Sequence, residues 1–192
     1  MKKVIRYSLA LVAWCLVAAC ASSHYVRPDE VTEWDYTYSD TDMKLLAEKM
    51  VMSLSEAELP KTQEKPTIAF LRIGNRTSQH VDTDGISEKI MVSLVKLGRF
   101  RVVDRELLKK QAQEIALVEN QRIDVEGAVK LGNLVGADYF LTGDIMSIEK
   151  TSGATTLAYY KLTMRLVNVK TSVIEWADEK ELKKRSTKGW FE

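Results

Sequence analysis

The sequence has little of the chemistry that enzyme active sites commonly use. It contains two cysteines and two histidines, and the histidines, His24 and His80, have no zinc-type spacing to any cysteine. Residues 74–79 lie where a phosphate-binding loop would follow a strand, but they lack the glycine spacing of a dinucleotide site and the lysine of a nucleoside-triphosphate loop. No serine stands in a G-x-S-x-G turn. These absences argue against an enzyme, and the sequence predicts no metal ion and no cofactor.

The chain also lacks a strong charge of either sign. It has 28 basic and 27 acidic residues, and removal of residues 1–19 would leave 25 basic residues and a net charge of −2. A charge so close to zero gives no electrostatic footprint for nucleic acid. The basic run Lys183-Lys184-Arg185 is interpreted as the solvated end of a strand rather than a binding site.

The N-terminus has the features of an export signal. Lys2, Lys3 and Arg6 form a charged start, and the apolar run at residues 9–17 is too short to span a bilayer comfortably. The run ends in Val-Ala-Ala-Cys at residues 17–20. This resembles the lipobox of bacterial lipoproteins, in which the cysteine is lipidated and becomes the new N-terminus.

Cys20 is therefore the predicted lipidation site, and residues 1–19 are the predicted signal peptide. Cys15 fits less well, because bulky Trp14 stands where a small residue is needed. An ordinary signal peptide cleaved nearby is the alternative. Ala21 rather than aspartate follows the cysteine. In Gram-negative lipoproteins that resemblance favours the outer membrane, so we expect a lipid-anchored domain that faces the periplasm.

Loss of the signal would leave Cys20 as the only cysteine, so an exported domain would be stabilised by its core without a disulfide. Residues 20–40 show no periodicity and are interpreted as a lipidated tether, residues 41–186 as the domain, and residues 187–192 as a C-terminal tail. The aromatic residues of the tether are expected to pack on the domain, with contact to the membrane interface or to a partner as the alternatives; they are Tyr25, Trp34, Tyr36 and Tyr38.

The centre of the predicted domain is a strand–helix–strand unit. Residues 67–73 are almost continuously apolar, which is typical of a strand covered on both faces. A polar loop at residues 74–81 leads into an amphipathic helix with Asp84 as its expected cap. A second strand at residues 99–103 follows, and two strands joined through a helix pair in parallel.

A helix at about residues 41–57, capped by Asp40 or Thr41, precedes this unit. Leu45 and Met52 lie off its main apolar face, and we expect them to be buried too; the alternative is that the pair is exposed for a partner. Two helices and three strands follow the unit; the helices begin at Asp104 and Asp124, and the strands cover residues 138–148, 156–169 and 173–176. The prediction is an α/β fold with a mixed parallel and antiparallel sheet in the order β-α-β-α-α-β-β-β, with packed helices and an N-terminal helix first.

Four motifs occur in order behind the lipobox; they are Leu-Arg-Ile-Gly-Asn-Arg-Thr at residues 71–77, Gly-Arg-Phe-Arg-Val-Val-Asp-Arg at 98–105, Gly-Ala-Asp-Tyr-Phe-Leu-Thr-Gly at 136–143 and Val-Ile-Glu-Trp at 173–176. Together they resemble the LpoB family of lipoproteins, over about residues 46–185. The wider group that includes CsgG and FlgT shares the second and third patterns.

The resemblance implies a non-catalytic activator. LpoB-like proteins reach from the outer membrane to a bifunctional (class A) penicillin-binding protein and stimulate glycan polymerisation and peptide cross-linking. The alternative is an accessory or structural component of a CsgG-like outer-membrane secretion or assembly complex. The hairpin expected within residues 138–169 has a polar alternate face and no convincing lipid-facing band, which counts against pore formation.

Two features depart from the family. The tether is short and poor in proline, whereas the enterobacterial proteins carry a long proline-rich spacer. Thr171 and Ser172 stand where the family often has a glycine-containing turn, and we expect a type I turn that tolerates them.

The candidate partner-binding residues are Asn75, Arg76 and Thr77, which match the Asn-Arg-Thr loop of the family. Arg76 could make bidentate contacts to a carboxylate of the partner. In the alternative interpretation, Asn75 and Thr77 stabilise the turn and Arg76 pairs internally.

Overall fold

The structure, a computed structural model, describes residues 27, 30–31, 35–60, 65–114 and 125–187. The chain divides into two units, Met1–Val31 and Thr32–Glu192. In the first unit, the Glu30 N–H donates to the Arg27 carbonyl at 3.0 Å. The predicted signal peptide, Cys20, most of the predicted tether and residues 188–192 lie outside the described residues. No helix in the described part is long and apolar enough to cross a membrane.

The second unit has the predicted α/β architecture. Its helices and strands are α1 Asp40–Glu56, β1 Thr67–Arg76, α2 Thr83–Leu97, β2 Arg101–Val102, α3 Arg105–Glu114, α4 Val125–Val135, β3 Tyr139–Ser152, β4 Thr155–Asn168 and β5 Ile174–Thr187. The strands form one sheet in the order β2-β1-β3-β4-β5. β1 pairs in parallel with β2 and β3, and β3, β4 and β5 pair antiparallel. The prediction of a mixed sheet with packed helices and an N-terminal helix is confirmed.

Strand β1 is apolar throughout its first half because its two faces are both covered. Phe70 lies in the larger core, which α1 and α2 close, and Ala69 lies in the smaller core on the other face, under α3 and α4. The larger core is centred on Leu46, Met50, Ile86, Ile90, Phe70, Leu141, Leu162 and Met164. The smaller core is built from Ala69, Leu108, Ala112, Leu131, Ala137, Phe140 and Val169.

Helix α1 begins one residue earlier than predicted. Ser39 is its N-cap, and the side chains of Ser39 and Asp42 form a capping box, so the prediction of Asp40 or Thr41 as the cap is wrong. Leu45 and Met52 are 45% and 59% exposed, so the expectation that both are buried is wrong as well. The helix contacts the sheet and α2 with its main apolar face, and this pair points away from both.

Helix α2 likewise starts earlier, with Asp82 rather than Asp84 as its cap, because the Asp82 carboxylate accepts the Gly85 N–H at 2.9 Å. Gly98 ends the helix with φ = 68°. Asp104 caps α3 as predicted, accepting the Leu107 N–H at 2.9 Å. The predicted cap Asp124 lies outside the described residues.

Four strand lengths differ from the sequence expectation, and one of them is that of β3, which runs to Ser152 rather than ending at residue 148. β1 continues through Gly74, Asn75 and Arg76, which pair with β3, so these residues belong to the strand rather than to a loop. β2 has two residues instead of five. β5 is 14 residues long and pairs with β4 along nearly its whole length, whereas only residues 173–176 were expected.

The long β5 changes the interpretation of the basic run. Lys184 is buried, not solvated, and its Nζ lies 2.9 Å from Asp42 Oδ2 on α1 and donates to the Thr37 carbonyl at 2.7 Å. Lys183 and Arg185, on either side, are exposed as expected.

The turn between β4 and β5 is not a plain type I turn. Ser172 has φ = 59°, in the left-handed region that glycine adopts without strain. The Asn168 side chain compensates in part, because its Oδ1 accepts the N–H groups of Lys170 and Thr171 at 3.0 and 3.1 Å. A serine thus occupies a backbone conformation in this turn that favours glycine.

Candidate functional site

The predicted partner-binding residues lie where β1 ends. Asn75 and Arg76 pair with Ile145 and Met146 of β3, and Thr77 is the first residue after the strand. The chain then turns back toward α2. The ladder with β3 holds the backbone of Asn75 and Arg76, so the position of both side chains is set by a rigid element rather than by a mobile loop.

The side chains of Asn75 and Thr77 stabilise this turn. Asn75 Oδ1 accepts the Thr77 N–H at 2.9 Å and lies 2.8 Å from the Thr77 hydroxyl, and Asn75 Nδ2 donates to the Gln79 carbonyl at 3.0 Å. Thr77 Oγ1 also accepts the Gln79 N–H at 3.2 Å. These are the bonds that the alternative interpretation of the two residues requires, and they leave Asn75 exposed. A role in partner binding stays a prediction for both.

Arg76 is different, because its exposed side chain makes no hydrogen bond or ion pair with any residue that the structure describes. It lines an open groove of about 790 Å³ together with Arg72, Gly74, Thr83 and Asp144. The Asp144 carboxylate lies 3.7 Å from the Arg165 guanidinium, so one acidic group of the groove is already near a cation. Among the residues named for partner binding, Arg76 alone thus presents an uncommitted charged donor at the surface.

A short N-terminal strap, residues 35–39, is bonded to this turn. The Tyr38 N–H donates to Gln79 Oε1 at 3.0 Å, and Gln79 Nε2 donates to Glu149 Oε1 at 2.8 Å. The Ser78 hydroxyl donates to the same carboxylate oxygen at 2.8 Å. Sequence reasoning missed Gln79 and Glu149, because a glutamine and a glutamate 70 positions apart carry no local pattern that would connect them.

The strap also packs on β4. The rings of Tyr38 and Tyr160 meet edge to face with centroids 5.8 Å apart, and the Tyr160 hydroxyl donates to the Tyr36 carbonyl at 3.1 Å. The expectation that the aromatic residues of the tether pack on the domain is confirmed for Tyr38, which contacts the larger core. Tyr36 is half-buried, and Tyr25 and Trp34 lie outside the described residues.

The two tyrosines differ in how their hydroxyls are satisfied. The Tyr38 hydroxyl is buried and has no hydrogen-bond partner within the described part of the chain. Burial, together with the charges of Asp42 and Asp82, raises the pKa of Tyr38 far above its usual value. Burial likewise raises the pKa of Tyr160 to about 12.

These pKa values predict a loss of stability in alkali. A tyrosine whose pKa is raised by folding stabilises the folded state fully below pH 10, and this stabilisation is lost as the pH rises from about 10 to about 12. For Tyr160 the slope is about 1.4 kcal/mol per pH unit. Urea denaturation should therefore show that Tyr160→Phe costs about 1 kcal/mol at pH 8, from the lost hydrogen bond, and less at pH 11.

Tyr38→Phe is the matched variant, because it removes a buried hydroxyl that has no partner. It should not lower the free energy of unfolding at pH 8. If Tyr160→Phe lowers the free energy of unfolding equally at pH 8 and pH 11, then folding does not raise the pKa of the Tyr160 hydroxyl as its burial predicts.

No group of three or more potential metal-ligating side chains occurs among residues 35–60, 65–114 and 125–187. The arrangement is instead a rigid strand end, a bonded turn and an exposed arginine beside a groove. Such a surface can bind another macromolecule, and the Arg76 guanidinium could donate hydrogen bonds to an acceptor group of that macromolecule.

Comparison with known proteins gives three results. Residues 42–182 match the family described as "Peptidoglycan-synthase activator LpoB". No curated protein sequence gives a significant match. Among solved structures, the LpoB C-terminal domains from Salmonella enterica and from Escherichia coli each match with 19% identity and a TM-score of 0.57, over 73% of this chain and 98% of theirs.

The NMR structure of E. coli LpoB matches with 18% identity and a TM-score of 0.52, over 89% of this chain and 84% of that protein. At these identities the structures show a shared fold, and the family match covers most of the chain. The chain therefore belongs to the LpoB family of peptidoglycan-synthase activators.

Proposed function

We propose that this chain is an outer-membrane lipoprotein, not an enzyme, that binds a bifunctional penicillin-binding protein in the periplasm and stimulates its synthesis of peptidoglycan. The observation that supports this proposal is the family match, which runs from Asp42 in α1 to Leu182 in β5 and so includes almost every element of the domain. The predicted lipobox at residues 17–20 supports the anchored location.

An activator of this kind acts through differential affinity. A bound domain shifts the synthase toward its active conformation only by as much as it binds that conformation more tightly than the inactive one. A tenfold shift in the ratio of the two conformations requires about 1.4 kcal/mol of such preference. One or two well-placed contacts, such as a bidentate bond from Arg76 to a carboxylate of the synthase, can supply this difference.

The test is an assay with the purified class A penicillin-binding protein of the native cell. The chain beginning at Ala21 is added in increasing amounts, and glycan polymerisation and peptide cross-linking are followed. A saturable increase in both rates is expected. No binding and no rate change would contradict the proposal and would leave a role in a secretion or assembly complex as the function to test, by cross-linking in intact cells.

We predict that Arg76→Ala weakens binding of the synthase about tenfold to a hundredfold while the melting temperature stays within 1 or 2 °C of the parent, roughly the change that an exposed substitution gives. The reason is that the Arg76 side chain has no intramolecular partner in the described part of the chain. Affinity is measured by calorimetry and stability by thermal denaturation.

Lys170→Ala is the matched control, because Lys170 is an exposed cation in the β4–β5 turn, at the opposite end of the sheet from Arg76. It should change neither property. Equal losses of affinity from both variants would indicate a nonspecific charge effect. A large loss of stability from Arg76→Ala would show that the arginine is structural.

The anchored location has its own test. Cys20→Ala should move the protein from the membrane fraction to the soluble periplasmic fraction, because a lipidated Cys20 is the proposed attachment to the membrane. Unchanged membrane association of this variant would refute lipidation at Cys20 without bearing on binding of the synthase.

A further inference from the structure

Strand β5 is an edge strand of unusual length. It has 14 residues, and β4 is its one neighbour in the sheet. No backbone–backbone hydrogen bond reaches its outer side from any other residue that the structure describes. Helix α1 covers one face of the strand through the contacts Lys49–Asp178 and Asp42–Lys184, but these lie on the face and not along the edge.

The backbone groups that point outward can be identified. The Glu179 N–H donates to the Asp178 carboxylate at 2.7 Å rather than toward β4. Alternate residues of an antiparallel strand turn both backbone polar groups to the same side. The outward-facing residues in the middle of β5 are therefore Glu179, Glu181, Lys183 and Arg185, and all four side chains are exposed.

The charges of these four residues follow one another as two acidic and two basic groups. The acidic pair is held in place by β4, since the Tyr159 hydroxyl donates to Glu181 at 2.6 Å and Lys161 Nζ lies 3.2 Å from Glu179. The basic pair, Lys183 and Arg185, makes no hydrogen bond or ion pair through its side chains within the described residues. The edge thus has an ordered negative half and an unpaired positive half.

We propose that β5 pairs antiparallel with β5 of a second copy of this chain, about a two-fold axis that passes through Leu182. In this register Glu181 lies opposite Lys183 of the second copy, and Glu179 lies opposite Arg185 of the second copy. The two-fold axis repeats each pair, so the edge carries four pairs of opposite charge. Two five-stranded sheets become one sheet of ten strands.

Other registers are disfavoured by the same charges. A shift of two residues in either direction places Glu181 opposite Glu181, or Lys183 opposite Lys183, and leaves two pairs of opposite charge among these residues instead of four. A parallel arrangement in register places each charge beside one of the same sign. On the face that α1 covers, Leu182 meets Leu182 and Lys180 lies opposite Lys184, whose charge is already paired with Asp42. Charged edge strands commonly prevent pairing, and here the sign order favours one antiparallel register over its neighbours.

The test is the oligomeric state of the full chain in detergent, followed by sedimentation equilibrium over a concentration series. The parent chain should form a dimer that weakens with added salt. Glu181→Lys should raise the dissociation constant of the dimer on the order of tenfold to a hundredfold, because two attractive pairs become repulsive. The double variant Glu181→Lys with Lys183→Glu should restore the dimer, since the opposite charges again face each other.

Tyr159→Phe is the matched control, because it removes the hydrogen bond to Glu181 without changing a charge. It should leave the dimer intact, and the melting temperatures of all variants should agree, so that unfolding does not explain a loss of association. A parent chain that stays monomeric at every concentration overturns the proposal. A dimer that Glu181→Lys does not weaken overturns it as well, because the interface then lies elsewhere.

Discussion

Replacing Lys184 by methionine should lower the free energy of unfolding by about 3–5 kcal/mol, because it leaves a buried carboxylate without its cation. Lys184 Nζ lies 2.9 Å from Asp42 Oδ2, and the two side chains are 8% and 4% exposed. Methionine would fill nearly the same volume but would leave the Asp42 carboxylate buried without its cation. The Thr37 carbonyl would also lose its hydrogen bond from Lys184.

The loss is measured by urea denaturation of the chain that begins at Ala21. Lys49→Met is the control at the same helix–strand contact, since Lys49 and Asp178 form an ion pair in which the side chains are 44% and 28% exposed. Its cost should stay below about 1 kcal/mol because water screens the pair. Lys184→Met combined with Asp42→Ala should recover part of the loss, although the Asp42 carboxylate no longer accepts the hydrogen bonds from the Ser39 N–H and hydroxyl.

Equal effects of Lys184→Met and Lys49→Met would mean that water reaches the Asp42–Lys184 pair and that burial does not strengthen it. A double variant no more stable than Lys184→Met alone would assign the loss to packing around the lysine stem instead of to the unpaired carboxylate.

Gly143→Ala should give the second large loss of stability, about 2–3 kcal/mol. Gly143 lies in β3 between β1 and β4. An added Cβ would stand 2.6 Å from the Thr163 carbonyl oxygen and 2.9 Å from Met164 Cγ. The nearest atom belongs to the backbone of a strand that is paired on both sides, so it cannot move aside without breaking the ladder.

Gly74→Ala is the matched control in the neighbouring strand. Its Cβ would also come within 2.6 Å of an oxygen, but that oxygen is the end of the Asp144 side chain, which is half-exposed and can rotate away. Urea denaturation should therefore show a smaller loss for Gly74→Ala than for Gly143→Ala. The reverse order would mean that β3 and β4 can separate more easily than their ladder suggests. Gly143 closes the motif at residues 136–143, so this contact gives a physical reason for its last glycine.

The sequence predicts well those helices and strands whose burial produces an apolar run or a periodic pattern of apolar residues. β1, β3, β4 and α2 each have an apolar run or stripe, and each occurs where it was expected, apart from its ends. β5 was predicted to be short because its sequence after Trp176 is mostly charged. One face of that strand places Trp176 and Leu182 on the larger core, but Asp178 and Lys184 on the same face pair with charged residues of α1, and the other face meets water. Hydrophobic alternation is therefore interrupted.

In the candidate site, too, the sequence predicts the local contacts and misses the long-range ones. The Asn75 and Thr77 side chains have local roles in the turn, which the Asn-Arg-Thr pattern allows one to anticipate. The bonds of the strap to Gln79 and of Gln79 to Glu149 depend on three segments brought together by the fold. Local sequence contains no trace of such contacts, because each residue by itself is an ordinary polar side chain. The prediction that Lys184 is solvated is wrong for the same reason, since its partner Asp42 lies 142 positions away in the sequence.

The strap also determines how the domain would respond to a mechanical pull on its N-terminal side. The Tyr36 carbonyl, the Thr37 carbonyl and the Tyr38 N–H are bonded to β4, β5 and the turn after β1, respectively. A force on the chain ahead of the strap is therefore shared by three bonds to three parts of the sheet before it reaches α1. These three bonds carry the load before the hydrogen bonds of α1 do. In a domain tethered at its N-terminus, the strap would therefore bear the pulling force and keep it from α1.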